Sequence, residues 1–191
     1  SQNLAHYWKL DENLSGGSPN ELNASARLLA SQILDENDFN NWGLMGNSLE
    51  INSTNLLSAV RVLDENFTLS MWINPQVDFQ VVFSGSNSIQ FSNSDSSYEL
   101  NGNDDTNLTA KGENNWTHLG IICNQGSATL FVDGRAANSP ASVSAIDLNI
   151  TAVQSVLVDE VKVYGVPLSN AEMRYLSGRS YLDISGNKYH A

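Results

Sequence analysis

Residues Phe67-Thr68-Leu69-Ser70-Met71-Trp72-Ile73-Asn74 put an apolar side chain at every second position, a period that suits an extended strand and no helix. Side chains on a strand alternate sides, so Phe67, Leu69, Met71 and Ile73 form one face and Thr68, Ser70, Trp72 and Asn74 the other. A strand with one apolar face needs a second layer to cover it. Similar short runs recur at residues 6–10, 27–33, 48–51, 56–63, 79–84, 88–92, 116–123, 128–132 and 156–164, separated by polar, Gly- and Asn-rich segments. That spacing predicts an all-β sandwich or barrel. Asp133-Gly134, between two such runs, predicts a hairpin turn whose two central residues need positive φ, so Asp133 is expected to serve the turn rather than chemistry. One helix is predicted, over residues 169–177. Ser169 caps it, Glu172 completes a capping box and Gly178 ends it.

Bulk properties narrow the function. A chain of 191 residues suits one domain with a sizeable core. The formal net charge of −12 opposes binding to nucleic acid or an anionic membrane surface. Surplus carboxylates suit calcium, which takes oxygen ligands, although an acidic surface also serves solubility alone. One cysteine, Cys123, forbids an internal disulfide and reads as a small buried hydrophobe; with three scattered His it excludes a zinc site. No apolar run is long enough for membrane insertion. Lacking an initiating methionine or signal peptide, the chain is expected to be a processed or excised piece. Seven Asn-x-Ser/Thr sequons stand among 24 Asn, little more than chance supplies, so glycosylation is not inferred.

The strand at residues 156–164 carries an anomaly. With regular alternation Leu157, Asp159, Val161 and Val163 share one face, which places a carboxylate in an apolar row. A buried carboxylate must be neutralised, hydrogen-bonded or bound to a metal.

Several stretches together resemble the laminin-G-like branch of the concanavalin A-like lectin and glucanase jelly rolls. They are residues 7–12 (YWKLDE), 46–52 (GNSLEIN), 67–75 (FTLSMWINP), 115–119 (NWTHL), 129–134 (TLFVDG) and 158–164 (VDEVKVY) with the helix that follows. The resemblance implies a two-sheet antiparallel β-sandwich over residues 1–178 with one short C-terminal helix. The tail, 179–191, holds Asp183-Ile184-Ser185-Gly186-Asn187, similar to a segment that follows the first strand in such domains. It is expected to begin a following unit, or else to add a strand.

Such domains are commonly non-catalytic modules of larger secreted or cell-surface proteins that bind glycans or proteins, often beside calcium. Their enzymatic relatives carry acidic residues at alternating positions of one strand. Here Asp159 and Glu160 are adjacent and His6, His118 and His190 show no triad spacing, so catalysis is not expected. Calcium is expected from Asp11 and Glu12 at the end of the first strand and Asp159 on the last, with Asn52 where relatives often carry aspartate. The alternative is that Glu12 and Asp159 only accept backbone hydrogen bonds. For glycan contact the first candidate is Trp42, in a connecting segment outside the matching stretches. Trp72, on the polar face of its strand, and Tyr98 with Asp95 and Asp104, in the acidic loop 93–106, follow. A structural or protein-interaction spacer is the competing reading.

Overall fold

A computed structural model describes residues 4–8, 39–43, 46–51, 57–63, 65–75, 78–84, 87–92, 97–101, 103–104, 115–143, 146–152 and 154–178. Its strands are β1 (Leu4–Trp8), β2 (Phe39–Gly43), β3 (Gly46–Ile51), β4 (Leu57–Leu63), β5 (Phe67–Pro75), β6 (Phe79–Ser84), β7 (Asn87–Ser92) and β8 (Ser97–Leu100). They continue as β9 (Asn103–Asp104), β10 (Thr117–Asn124), β11 (Ser127–Val132), β12 (Arg135–Ala136), β13 (Ala141–Ser142), β14 (Ile146–Ala152) and β15 (Val156–Tyr164), before helix α1 (Asn170–Leu176). The expected strand at 27–33 and the tail 179–191 lie outside the described residues.

Two antiparallel sheets form the sandwich. The larger runs β12-β11-β10-β5-β15-β3-β2, with β1 also on β15 and β13 on β11; the smaller runs β4-β14-β6-β7-β8-β9. The first and last strands are therefore neighbours, Trp8 opposite Val161. The core between the sheets takes Phe67, Leu69, Met71 and Ile73 from β5, as their alternation required, and Leu119, Ile121 and Cys123 from β10. Ile89, Phe91, Tyr98 and Leu100 meet them from the smaller sheet. Cys123 is buried, and that burial pushes its thiol up.

The turns follow the chemistry of their residues. Asp133 and Gly134 have φ of 48° and 74°, the pair of positive angles a two-residue hairpin needs. The Asp133 carboxylate accepts the His118 N–H at 3.0 Å, while the Asp133 N–H donates to the His118 carbonyl at 2.8 Å. Helix α1 has Ser169 at its N-cap with both bonds of the capping box, and Gly178 follows it with φ of 71°.

Strand β15 departs from regular alternation. Its pairing with β5 shifts between Asp159 and Lys162, and Glu160 has φ of 50°. This β-bulge reverses the phase of the strand. Val156 and Val158 before it, and Val161 and Val163 after it, all reach the core. Asp159 thus stands with Leu157 on the opposite face, not with Val161 and Val163 as regular alternation implied. It is nevertheless wholly buried, and its carboxylate accepts the Glu160 N–H at 2.7 Å.

Candidate functional site

Strands β6, β7 and β8 each carry a polar residue between core residues or strand neighbours of the apolar type: Phe79-Gln80-Val81, Ile89-Gln90-Phe91 and Tyr98-Glu99-Leu100. Antiparallel register places Gln80 opposite Gln90 and Gln90 opposite Glu99. Directly paired residues share a face, so two amides and a carboxylate form one row across three strands, about 4.8 Å apart per strand. Because Ile89, Phe91, Tyr98 and Leu100 point into the core, this row lies on the outer face of the smaller sheet. There it borders a groove of about 280 Å³, lined also by Asp78, Phe91, Ser92 and Gln154.

The floor of the groove is held firmly. Phe91 and Tyr98 lie in contact beneath it with ring centroids 5.1 Å apart. Burial raises the Tyr98 phenol far above its ordinary value. Beside the row, Gln80 Nε2 donates to Ser88 Oγ at 3.2 Å. Asn101, in the left-handed region with φ of 52°, clamps β7 to β8. Its Oδ1 accepts from Ser88 N at 2.9 Å, and its Nδ2 donates to Asn87 Oδ1 and to the Ser142 carbonyl, each at 3.0 Å. Amides and carboxylates in such a row match the alternating donors and acceptors of sugar hydroxyls.

The sequence-derived candidates fall differently. Tyr98 is not a loop residue available to ligand but a strand residue with no exposed surface, because its neighbours alternate around it and its ring completes the core. Asp104 lies on β9 as the register partner of Glu99, at the end of the polar row. Trp42 is not in a connecting segment: it lies on β2, at the edge of the larger sheet. Asp95, Asp11, Glu12 and Asn52 lie outside the described residues. Gln80, Gln90 and Glu99 were missed because a single polar residue between apolar ones reads as the solvent side of a strand. Their alignment across three strands was the signal.

Trp72 belongs to a packed layer on the outer face of the larger sheet. Half-buried, it meets the His118 ring edge-on at 5.3 Å between centroids and pairs in register with Asp159. His118 Nε2 and Ser70 Oγ share a hydrogen bond of 2.9 Å, a distance suited to a nucleophile and its base. Both are sealed from solvent, and the Asp133 carboxylate accepts the His118 backbone N–H. The pair therefore fastens β5 to β10. Nearby, Lys162 Nζ and Glu160 Oε2 pair at 2.7 Å. A second cleft, about 520 Å³, lies between β10, β11 and the approach to α1, lined by Ile122, Thr129, Leu168 and neighbours, with no carboxylate among the described residues.

Among the described residues no three His, Cys, Asp or Glu side chains cluster as metal ligands. Of the expected calcium set only Asp159 is described, and one carboxylate does not make a calcium site.

The family profile described as the concanavalin A-like lectin/glucanases superfamily matches residues 46–174. The chain belongs to that superfamily. No curated protein sequence matches it. Among solved structures of the same fold is domain 4 of AbnA, an extracellular arabinanase from Geobacillus stearothermophilus, in complex with arabinotriose. The identity is 15%, the TM-score 0.55, and 92% of this chain covers 98% of that domain. The binding domain of Paraclostridial Mosquitocidal Protein 1 is similar at 14% identity and TM-score 0.59, over 95% of this chain and 53% of that one. The binding domain of botulinum neurotoxin DC, solved with rat synaptotagmin II, gives 11% and 0.59 over 93% and 51%. This superfamily member spans about half the length of those toxin domains. No helix among its described residues is long and apolar enough to cross a membrane.

Proposed function

We propose that this chain is a non-catalytic carbohydrate-binding module of a larger secreted or cell-surface protein, and that it binds glycan along the outer face of its smaller sheet. The observation that carries this reading is the in-register row Gln80, Gln90 and Glu99 beside a groove. Asp104 continues the row toward the sheet edge. A neighbour of the same fold solved with arabinotriose supports the choice of a saccharide over other small ligands. Calcium, in this reading, is structural and draws on Asp159 with Asp11, Glu12 and Asn52.

Screening on a glycan array, followed by calorimetry on the strongest ligand, tests the assignment. Gln90→Ala and Glu99→Ala should each weaken binding about tenfold or more, roughly 1.4 kcal/mol, as expected for a lost hydrogen bond to the ligand. Trp42→Ala serves as the comparison, since β2 lies in the other sheet. Binding lost in Trp42→Ala but kept in both groove variants would move the ligand to that edge. A chain that binds no glycan but captures a protein would favour the interaction-spacer reading instead.

A further inference from the structure

The Gln80 amide is oriented by a neighbour on the next strand. In register Gln80 faces Gln90 and Val82 faces Ser88, so Ser88 is the diagonal neighbour of Gln80 along β7. Ser88 is buried, and Asn101 grips its main chain: Ser88 N donates to Asn101 Oδ1 at 2.9 Å, and the Ser88 carbonyl accepts Asn101 N–H at 3.0 Å. The same Asn101 side chain donates to the Ser142 carbonyl on β13, so this point of β7 is tied to both sheets. From this anchored position Ser88 Oγ takes the Gln80 Nε2 donor at 3.2 Å. The groove lies the other way. Along β7 its lining residues are Gln90, Phe91 and Ser92, and on the β6 side it extends from Gln80 to Asp78. An amide carries its nitrogen and oxygen on opposite branches, so holding Nε2 at Ser88 turns the acceptor Oε1 to the groove side. Glu99, which also lines the groove, carries a carboxylate, and that group only accepts.

From this we propose that the groove reads donated hydroxyls at Gln80 and at Glu99, and that Ser88 is the positioning residue that sets Gln80 for this task. The proposal rests on the groove being the glycan site. Gln80 and Glu99 are two strands apart, roughly 10 Å at the usual strand spacing, more than one sugar ring spans. The ligand class is therefore an oligosaccharide of at least two linked units with an unsubstituted hydroxyl on each. A unit whose hydroxyl is replaced by an acceptor meets Oε1 or the carboxylate with no proton to share, and that mismatch opposes its binding.

The test uses the full chain and neutral oligosaccharides, arabinotriose among them, each with counterparts in which single hydroxyls are replaced by fluorine. Fluorine is close to a hydroxyl in size but cannot donate. Replacement at two hydroxyls on different units should each weaken binding about tenfold or more. In Ser88→Ala the Gln80 amide is no longer held, and one of the two penalties should shrink severalfold while the other stays. Adding Gln80→Glu to Ser88→Ala should restore it, because a carboxylate accepts whichever way it turns. The readout is a ratio of two ligands on one variant, so a change in stability alone does not move it. Fluorinated counterparts binding as well as their parents, with binding lost in Gln90→Ala, would overturn the donor reading while leaving the groove as the site. Two penalties that Ser88→Ala leaves unchanged would overturn the role of Ser88. If no oligosaccharide binds, the functional reading fails and this inference with it.

Discussion

Gly120 shows how closely the helix approaches the larger sheet. A side chain there would overlap the Met173 thioether, which is wholly buried among Ile122, Phe131 and Leu176. These residues make a second small core on the outer face of the sheet, so the outer side of β10 and β11 is covered where α1 lies. Gly120→Ala should therefore cost about 1–3 kcal/mol by overpacking. Met173→Ala alone should cost about 2–5 kcal/mol through the cavity it leaves. In the double variant the new methyl occupies part of that cavity, and the loss should fall well short of the sum. Chemical denaturation of the three variants reads this directly, and strict additivity would mean the two residues do not meet.

At the scale of an element, α1 is short enough to depend on its ends. Ser169 Oγ accepts the Glu172 N–H at 3.3 Å, and Glu172 returns a bond from Ser169 N at 2.8 Å. The Ser169 hydroxyl also donates to Glu172 Oε2 at 2.7 Å, and the bonds to the carboxylate, first from the Ser169 backbone N–H and then from this hydroxyl, hold the Glu172 carboxyl below its ordinary value. A carboxyl lowered on folding stabilises above its unfolded pKa, near 4.3, and that contribution is lost as pH falls through the lower folded value. Ser169→Ala should cost about 1 kcal/mol near neutral pH. Its deficit relative to the parent should shrink as the pH is taken below about 4, where the charged form of Glu172 is lost. Melting curves across that range check the sign, and a deficit that widens in acid contradicts it. Strand β15 shows a different local device. One extra residue at its bulge lets four valines face inward while Asp159 turns to the packed outer layer.

For the molecule as a whole, the pairing of β1 with β15 makes the start and end of the sandwich one neighbourhood. The calcium proposal belongs to this scale, because its donors come from residues far apart in sequence. A metal that binds the folded chain only, at about 100 times its Kd, adds roughly 2.7 kcal/mol of stability. For a chain of this size that raises Tm by about 5–10 °C. Dialysis against a chelator, then melting with and without added calcium, should show that rise. An unchanged midpoint removes the metal and leaves Asp159 held by hydrogen bonding to the Glu160 backbone.

The all-β class, the faces of β5, the Asp133-Gly134 hairpin and the capped helix were legible in the residues themselves. Each depends on neighbours two to four positions away, where alternation, positive φ or a capping side chain acts within one element. Strand β8 and the burial of Tyr98 were not legible, because four residues in an acidic stretch carry too little pattern to stand apart from a loop. The phase of Asp159 was misread for a related reason. A bulge is fixed by pairing with β5 on one side and β1 and β3 on the other, and those partners lie far along the chain. Tertiary structure alone decided the groove: only the register of β6, β7 and β8 brings Gln80, Gln90 and Glu99, each ordinary in its own strand, into one row.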